Sequence, residues 1–373
     1  DLRIEVGDVG EQEAQRVADA AVTLDDALED FVGNAEFAGV IGRGRPQAQD
    51  VGTHLVGNLR INSGLTWGKN RMTSFATSAD LRAIEAEMPW AERGQARSIH
   101  DYLTRAKTRH GDRPAISFQL LSGPATKKTT LTWAALHAQV TQAANLFRAL
   151  GVGEKDTVAF ILPNTMETAV TFLAGAVAGI VNPINPLLEP EKIASILRET
   201  NAKVVVTLKA FPKTDLAQKV SEAVQFAPNV KTVLEVDLVP NLAGLKRVIV
   251  PWIRPKNPKQ HTADVKDFRA EAARMPADRL TFADRTDDHV AAYFHTGGTT
   301  GMPKVAQHKV SGMIYNGWLG STLLFKADDV VMCPLPLFHV FACYPILMSM
   351  IGSGAHVVFP TPQGYRGEGV FDN

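Results

Sequence analysis

The chain has 373 residues, which exceeds the usual size of a single hydrophobic core, so we expect two or more domains or subdomains. Lysine plus arginine and aspartate plus glutamate both total 39, so the chain is neutral overall and gives no electrostatic reason to expect nucleic acid as a partner. Hydrophobic residues make up 45% and charged residues 21%, as in ordinary soluble globular proteins.

The cysteines and the distribution of apolar residues indicate in which cellular compartment the protein works. Cys333 and Cys343 lie in an apolar stretch without a second pair, so we expect buried free thiols rather than a disulfide framework or a zinc site. The first residues lack the basic and apolar regions of a secretion signal. The uncharged stretches 168–188 and 330–365 are interrupted by prolines and glycines, so neither holds the roughly twenty continuous apolar residues of a spanning helix. We therefore expect a cytoplasmic protein without a transmembrane segment.

Residues 1–77 differ in composition from the rest of the chain. Residues 1–33 are acidic, and their apolar positions recur at spacings of four and three, which predicts a helix that packs on its own domain or on a partner. Residues 33–74 are rich in glycine, asparagine, glutamine and arginine and show no periodicity. A linker, the tail of an upstream module and a wrongly extended reading frame all remain open for this segment. We predict the folded domain at residues 78–373.

Apolar runs and helical periodicities alternate through this domain. Ser98 and Thr132 are suitable N-caps for two of the helices, with Gly111 and Gly151 as their C-terminal stops. The predicted helices are 98–110, 132–150, 166–180, 190–200, 214–227 and 311–325. The predicted strands are 114–121, 157–162, 203–208, 230–236, 290–295, 304–309 and 330–333, and 182–190 is predicted to be a turn-rich loop. Such alternation predicts an α/β fold with a parallel sheet covered on both faces and a ligand site at the carboxyl ends of the strands.

Residues 241–260 interrupt this alternation. They carry several lysines and arginines around Trp252 and no acidic residue. A basic patch with one aromatic residue can contact anionic lipid or a phosphate-bearing substrate, so peripheral membrane contact stays open. A solvated insertion loop is the commoner explanation of such a segment.

The stretch 293–304, Tyr-Phe-His-Thr-Gly-Gly-Thr-Thr-Gly-Met-Pro-Lys, has the composition of a phosphate-binding loop. Glycines allow the backbone to turn several N–H groups toward one anion, threonine hydroxyls add donors, and a lysine adds positive charge. The candidate ligands of the phosphates are Thr296, Gly297, Gly298, Thr299, Thr300, Gly301 and Lys304. A Gly/Thr-rich surface turn is the alternative. The ordered combination of hydroxyls, glycines and lysine after a strand favours the phosphate loop.

The loop is not a Walker nucleotide-binding loop. A Walker loop runs from a strand directly into a helix and ends Gly-Lys-Ser/Thr. Here Lys304 follows a proline and begins a second predicted strand, and it is followed by Val305. A generic NTPase is therefore the weakest candidate function.

These residues resemble the adenylate-forming superfamily, which includes acyl-CoA synthetases, adenylation domains of peptide synthetases and firefly luciferase. The usual loop of that family reads Thr-Ser-Gly-Thr-Thr-Gly-x-Pro-Lys-Gly. The chain departs from it at Gly297, in place of serine, and at Val305, in place of glycine. The form that begins Phe294-His295-Thr296 is similar to a variant found among acyl-CoA synthetases. The resemblance covers about residues 78–373.

A second motif supports the resemblance. Residues 334–341, Pro-Leu-Pro-Leu-Phe-His-Val-Phe, look like the Pro-Leu-Phe-His motif of the family. The histidine of that motif lies beside the acyl pocket and the passage for the CoA thiol, which makes His339 the candidate catalytic residue. Taken alone, His339 would more often be a structural histidine.

The resemblance implies the large N-terminal domain of an adenylate-forming enzyme, in which stacked mixed sheets are flanked by helices. It also implies activation of a fatty or aromatic carboxylic acid with ATP as an acyl-adenylate, followed by transfer of the acyl group to CoA. The loop holds the β- and γ-phosphates with Mg²⁺, for which Thr300 is the implied ligand.

Three parts of the family pattern have no counterpart in the chain: the adenine-side Tyr-Gly-x-Thr-Glu motif, the aspartate that binds the ribose, and the lysine of the mobile C-terminal lid domain. We therefore expect a truncated domain and an incomplete, inactive enzyme. Two other functions remain open. One is an adenylation domain that loads a carrier protein, and the other is a noncatalytic binding protein that retains the fold. The acid and the oligomeric state cannot be read from the residues.

Overall fold

The computed structural model describes residues 77–121, 126–295 and 304–362. By its internal contacts the chain divides into two compact units, residues 1–80 and 81–373, and both sheets belong to the second unit. The predicted acidic helix at residues 1–33 lies outside the described residues. The predicted domain boundary at residue 77 stays a prediction.

A seven-stranded sheet forms the centre of the described structure, with strand order β7-β6-β5-β3-β4-β8-β9. All neighbouring strands are parallel except β8 and β9, which form an antiparallel hairpin. The strands are β3 (Thr157–Ile161), β4 (Ile180–Pro183), β5 (Ala202–Leu208), β6 (Thr232–Val236), β7 (Asp264–Asp267), β8 (Val290–His295) and β9 (Val305–Lys309).

A second, four-stranded sheet has the order β10-β11-β1-β2. Strand β1 (Pro114–Gln119) pairs in parallel with β11 (His356–Phe359) and antiparallel with β2 (Lys128–Thr132). Strand β10 (Val330–Met332) pairs in parallel with β11. Both sheets are therefore mixed, as the resemblance implied, and the entirely parallel sheet predicted from the alternation alone is wrong at β8 and β9.

Helices flank the sheets. They are α1 (Ser78–Glu87), α2 (Ile99–His110), α3 (Trp133–Ala149), α4 (Met166–Ala178), α5 (Pro190–Glu199), α6 (Leu216–Gln225), α7 (Leu245–Ile249), α8 (Phe268–Ala272), α9 (Val310–Leu323) and α10 (Ser349–Ser353). Ser98 Oγ accepts the Asp101 N–H at 2.9 Å and Thr132 Oγ1 accepts the Ala135 N–H at 3.2 Å, so both predicted N-caps are confirmed. No helix in the described part of the chain is long and apolar enough to cross a membrane.

Helix α4 is the most buried helix of the described core. It contacts β3, β4 and β8 of the larger sheet and β1 of the smaller one, and all 13 of its residues are buried. Thr165 caps its N-terminus, and Thr165 and Thr168 form a reciprocal capping box. A helix that is apolar all round needs such two-sided burial, which explains its composition.

The prediction for residues 166–190 is wrong in one respect. The helix ends at Ala178, and Ile180–Pro183 is a strand that pairs with β3 and β8 rather than the start of a loop. A Cβ at Gly179 would come within 2.6 Å of the Asp156 carbonyl oxygen, so only glycine permits this close turn from helix into strand. Strands β2 and β7 are short and partly exposed, and the sequence pattern did not predict them.

Candidate active site

The β8–β9 hairpin carries the predicted phosphate loop. His295 pairs with Val305 at the end of the hairpin, so the loop connects two strands, as predicted, and the structure shows that they are antiparallel. Because β8 runs parallel to β4, the loop leaves the sheet at the edge where the parallel strands have their carboxyl ends. Lys304, at the far end of the loop, is exposed. Thr296, Gly297, Gly298, Thr299, Thr300 and Gly301 lie outside the described residues, so their roles stay predictions.

A small polar network supports the beginning of the loop. Asn182 of β4 donates an amide hydrogen to the Tyr293 carbonyl oxygen at 3.1 Å, and the same amide nitrogen lies 3.4 Å from His295 Nδ1. The Thr200 hydroxyl, which donates to the Ile196 carbonyl oxygen at 2.8 Å, lies 3.4 Å from Asn182 Oδ1. Burial lowers the pKa of His295, and its Nε2 atom is buried without a hydrogen-bond partner. With Nδ1 as the acceptor, the neutral ring has an unused Nε2–H donor next to the loop.

Asn164 holds the segment that contains His339. It follows strand β3 and is buried, with 3% of its surface exposed. Its Nδ2 donates to the Leu335 carbonyl oxygen at 2.7 Å, and its Oδ1 accepts the Leu337 N–H at 2.8 Å. This pair of bonds places the motif 334–339 at the carboxyl end of β3. Since β4 lies between β3 and β8 in the sheet, the end of β8, where the predicted loop begins, and the segment that contains His339 lie along one edge of the same sheet.

The two cysteines satisfy main-chain carbonyl groups of the same segment. Cys343 Sγ donates to the Leu337 carbonyl oxygen at 3.0 Å, and Cys333 Sγ lies 3.6 Å from the Leu335 carbonyl oxygen. Both are buried free thiols, as predicted. Burial raises the pKa of Cys333 to about 12 and raises that of Cys343 well above its usual value. Both cysteines therefore remain protonated donors, which excludes them as thiolate nucleophiles.

His339 presents one ring nitrogen for chemistry. The Phe341 N–H donates to Nδ1 at 3.2 Å, so the neutral ring carries its hydrogen on Nε2. The residue as a whole is exposed, although partial desolvation by neighbouring atoms lowers the pKa of its ring. The hydrogen bond from the Phe341 N–H occupies Nδ1, so Nε2 is the ring nitrogen that remains available.

An aromatic cluster connects the two motifs. Tyr344 lies in a π-helix, Ala342–Met348, that begins three residues after His339. Its ring centroid lies 5.5 Å from that of Phe294 on β8 and 5.2 Å from that of His308 on β9. The Tyr344 side chain is buried, and its hydroxyl has no hydrogen-bond partner. Pro345 has no N–H to donate inside this helix, which accounts for its irregular turn.

Sequence reasoning missed Asn164, Asn182 and Tyr344 as residues that position the site. The position of Asn164, directly after an apolar strand, was the signal available for it. Asn182 lies in the strand that was predicted as a loop. Within the described residues no group of three or more histidine, cysteine, aspartate or glutamate side chains is arranged to hold a metal ion. The candidate metal ligand Thr300 lies outside those residues.

Comparison with known proteins identifies the family. Residues 103–369 match the model of the AMP-binding enzyme family. The chain is 28% identical over 304 residues to a marinolic acid–CoA ligase of Pseudoalteromonas sp. (strain SANK 73390), covering 79% of this chain and 43% of the relative. It is 26% identical to 4-coumarate–CoA ligase 1 of Arabidopsis thaliana, covering 70% and 43%. It is 30% identical to an acetyl-coenzyme A synthetase of Sodalis glossinidius, covering 65% and 36%.

Solved structures show the same fold. The anthranilate CoA ligase AuaEII, solved in complex with anthranoyl-AMP, superposes with a TM-score of 0.56 at 18% identity, covering 74% of this chain and 46% of that one. The N-terminal domain of FACL13 from Mycobacterium tuberculosis superposes with a TM-score of 0.51 at 19% identity, covering 71% and 57%. The chain spans less than half the length of the curated relatives named above. The match to the family model over most of the chain, together with this fold, shows that the chain belongs to the AMP-binding (adenylate-forming) enzyme family.

Proposed function

We propose that this chain provides the phosphate-binding loop and part of the acyl pocket of an ATP-dependent acid–CoA ligase. The observation that carries the proposal is the placement of the two motifs. The end of β8, where the loop begins, and the segment that contains His339 lie along one edge of the sheet, and Phe294 contacts Tyr344 there.

The reaction has two steps. In the first, a carboxylate oxygen of the acid attacks the α-phosphorus of ATP, and the bond to the bridging oxygen breaks to release pyrophosphate. In the second, the sulfur of CoA attacks the acyl carbonyl carbon of the acyl-adenylate, and AMP leaves. Negative charge grows on the pyrophosphate during the first step, so donors fixed around the β- and γ-phosphates lower its barrier.

The residue types of the loop suit that task. Threonine hydroxyls and the main-chain N–H groups of glycines donate to phosphate oxygens, and the exposed Lys304 adds positive charge at the end of the loop. Mg²⁺, with Thr300 as a ligand, would supply further neutralising charge on the phosphates. The Nε2–H of His295 gives the loop one fixed donor at its beginning.

In this proposal the loop binds the phosphates of ATP, and His339 acts on the acyl group. Its Nδ1 is occupied by the Phe341 N–H, so the Nε2–H is the group that faces the chemistry as a donor. A neutral donor beside the acyl group can orient the carboxylate in the first step and the carbonyl oxygen in the second.

The acid is proposed only as a class. The relatives act on marinolic acid and 4-coumarate or form acetyl-coenzyme A, so their names differ in the acid and agree in CoA as the acceptor. The aromatic and aliphatic side chains that follow His339 favour an apolar acid, either fatty or aromatic. The agreement among the relatives favours CoA over a carrier protein.

The test separates the two half-reactions in the full-length protein. We expect the double variant Thr299→Ala with Thr300→Ala to lower acid-dependent exchange of pyrophosphate with ATP by about 100-fold or more. Thioester formation from supplied acyl-adenylate should fall much less, because that step does not use the β- and γ-phosphates. The matched control is Thr322→Ala, an exposed threonine whose hydroxyl bonds only the Trp318 carbonyl of its own helix. Equal losses in both half-reactions would contradict the assignment.

A screen over acids and acceptors then distinguishes the other candidate functions. Acetate, octanoate, palmitate, benzoate and 4-coumarate are each supplied with ATP, and the product is measured with CoA and with a phosphopantetheine-loaded carrier protein. We expect thioester with CoA and at least one apolar acid. Thioester on the carrier alone would identify a carrier-loading enzyme, and failure to exchange pyrophosphate with every acid would support the noncatalytic alternative.

A further inference from the structure

The segment 242–260, which we call the basic–apolar segment, exposes most of its large apolar side chains instead of burying them. It contains helix α7 (Leu245–Ile249) and the turns that follow it. The Leu245 residue is 71% exposed and the Trp252 residue 87% exposed. The exposed apolar residues of the segment are Leu245, Val248, Ile249, Trp252 and Ile253.

These five residues form one stripe. They follow the spacing i, i+3, i+4, i+7 and i+8, which is that of one helix face; the first three lie in α7, and Trp252 and Ile253 lie in the turns after it. The Ile253 N–H donates to the Ile249 carbonyl oxygen at 3.3 Å, so the helical path continues beyond α7. Val250, between them, packs against the protein core. The segment is therefore held at Val250, whereas every residue of α7 is exposed, so the apolar side chains of α7 face solvent.

The segment that carries these apolar residues is positively charged. Lys246, Arg247, Lys256 and Lys259 are exposed, and none of them takes part in an ion pair within the described residues. Arg254 differs, because it donates to both carboxylate oxygens of Asp237 at 2.9 and 3.0 Å. No acidic residue occurs between positions 238 and 263. This local excess is unexpected in a chain whose positive and negative side chains are equal in number.

A cavity of about 380 Å³ adjoins the stripe. Its walls include Leu121, Leu242 and Leu245, and Lys127 and Lys246 also line it. Lys127 donates to the Pro240 carbonyl oxygen at 2.7 Å, which fixes the edge of the cavity against the segment. The described lining combines apolar walls with two ammonium groups and has no carboxylate.

We propose that the basic–apolar segment binds the surface of an anionic lipid bilayer. The five apolar side chains enter the headgroup region, Trp252 lies at the interface, and the lysines and Arg247 contact lipid phosphates. A second copy of the chain fits this face poorly, because two such surfaces would bring their positive charges together. An ordinary protein partner is also disfavoured, because lysine is depleted from protein interfaces. The inference does not depend on which acid the enzyme activates.

The test is flotation of the purified protein with vesicles of phosphatidylcholine alone or with about one-third phosphatidylserine. We expect binding to the anionic vesicles to be about tenfold tighter or more, and to weaken as salt is raised. The variant Leu245→Ser with Trp252→Ser and the variant Lys246→Glu with Arg247→Glu should each lower it by about tenfold or more. All four side chains are exposed, so both variants should keep the wild-type melting temperature.

The matched control changes one exposed apolar residue and one exposed lysine elsewhere, Phe226→Ser with Lys155→Glu, and should bind like the wild type. Equal binding to both kinds of vesicle, no binding to either, or undiminished binding by both double variants would overturn the proposal. Sedimentation without lipid completes the test. A dimer that the same variants dissociate, without lipid binding by the wild type, would assign the surface to a second copy and also overturn the proposal.

Discussion

The Tyr344 ring packs edge-on against Phe294, with 5.5 Å between the ring centroids and 71° between the ring planes. Phe294 directly precedes His295 at the beginning of the predicted phosphate loop, whereas Tyr344 follows His339 by five residues. A contact between these two side chains therefore sets the position of one motif relative to the other. The Tyr344 hydroxyl contributes nothing visible to this contact, because it is buried without a partner.

Removal of that hydroxyl should not destabilise the protein. We expect Tyr344→Phe to leave the free energy of unfolding unchanged or to raise it by about 1 kcal/mol, since a buried unpaired hydroxyl costs desolvation. Tyr344→Ala should lower it by about 3–5 kcal/mol, because the ring fills the space between Phe172, Phe294 and His308. Urea unfolding measures both. A loss for Tyr344→Phe comparable with that for Tyr344→Ala would show that the hydroxyl has a partner.

The two side-chain hydrogen bonds of Asn164 should contribute to the stability of the protein. We expect Asn164→Ala to lower the free energy of unfolding by about 2–4 kcal/mol, because a buried N–H and a carbonyl oxygen lose their partner. Acyl-adenylate formation should also slow, because the segment that contains His339 is no longer fixed to β3. The control is Asn185→Ala, which removes one bond to the exposed Leu187 N–H and should cost less than about 1 kcal/mol. Equal costs for the two variants would contradict this view of Asn164.

Local sequence predicted much of the fold, and the reason is visible at particular residues. Ser98 and Thr132 cap helices through bonds to residues three positions away, so both the signal and its effect lie within one turn. Strands β8 and β9 were predicted together with the loop between them, because each is a short local pattern, although their antiparallel pairing was not predicted. These interactions need no knowledge of distant parts of the chain.

The positioning residues could not be found in that way. Asn164 forms hydrogen bonds to Leu335 and Leu337, which lie 171 and 173 positions later in the chain. No local sequence pattern indicates such distant partners. Strand β4 has only four residues, so its composition does not mark it as a strand; its pairing with β3 and β8 does. The exposure of the apolar stripe at 245–253 also required the fold, because the same spacing normally indicates a buried helix face.

Two glycines of helix α9 should respond in opposite directions to alanine. A Cβ at Gly320 would overlap the side chain of Ser349, whose hydroxyl lies 3.4 Å from the Tyr344 carbonyl oxygen and 3.4 Å from that of Asn316 and can donate to either. We expect Gly320→Ala to lower the free energy of unfolding by about 1–3 kcal/mol. A Cβ at Gly312 meets no atom within 4 Å, so Gly312→Ala should raise it by up to about 1 kcal/mol. Urea unfolding of both variants is the measurement, and the same sign for both would contradict the packing of α9 against α10 at Ser349.

His339 should affect the reaction without affecting the fold. Because the residue is exposed, we expect His339→Ala to change the free energy of unfolding by less than about 0.5 kcal/mol. Thioester formation by the full-length protein should fall by about tenfold or more, because the Nε2–H donor is lost. His339→Gln retains a side-chain N–H and should recover part of the rate. Wild-type rates for both variants would remove His339 from the active site.

The histidine pair of the buried His137 and the half-buried His100 should make the stability depend on pH. The ring centroids lie 4.9 Å apart, and His137 Nε2 lies 3.0 Å from the Thr104 hydroxyl. The pKa of His137 is lowered to about 4, mainly by burial and to a smaller extent by the nearby His100 and Lys107. Burial also lowers the pKa of His100, although the nearby Asp284 opposes this change.

The pKa of His137 is about 4 in the folded protein and about 6.5 in the unfolded chain. Between these two pH values the unfolded chain therefore binds more protons than the folded protein. The contribution of His137 to stability is therefore complete above pH 6.5 and is lost as the pH falls toward 4. We expect this loss to be about 1–2 kcal/mol after allowance for partial solvent screening. Urea unfolding from pH 7.5 to 4 measures it in the wild type and in His137→Gln, whose side chain does not titrate. The variant should lose less stability than the wild type over this range, and parallel curves for the two proteins would show that His137 is not the titrating group.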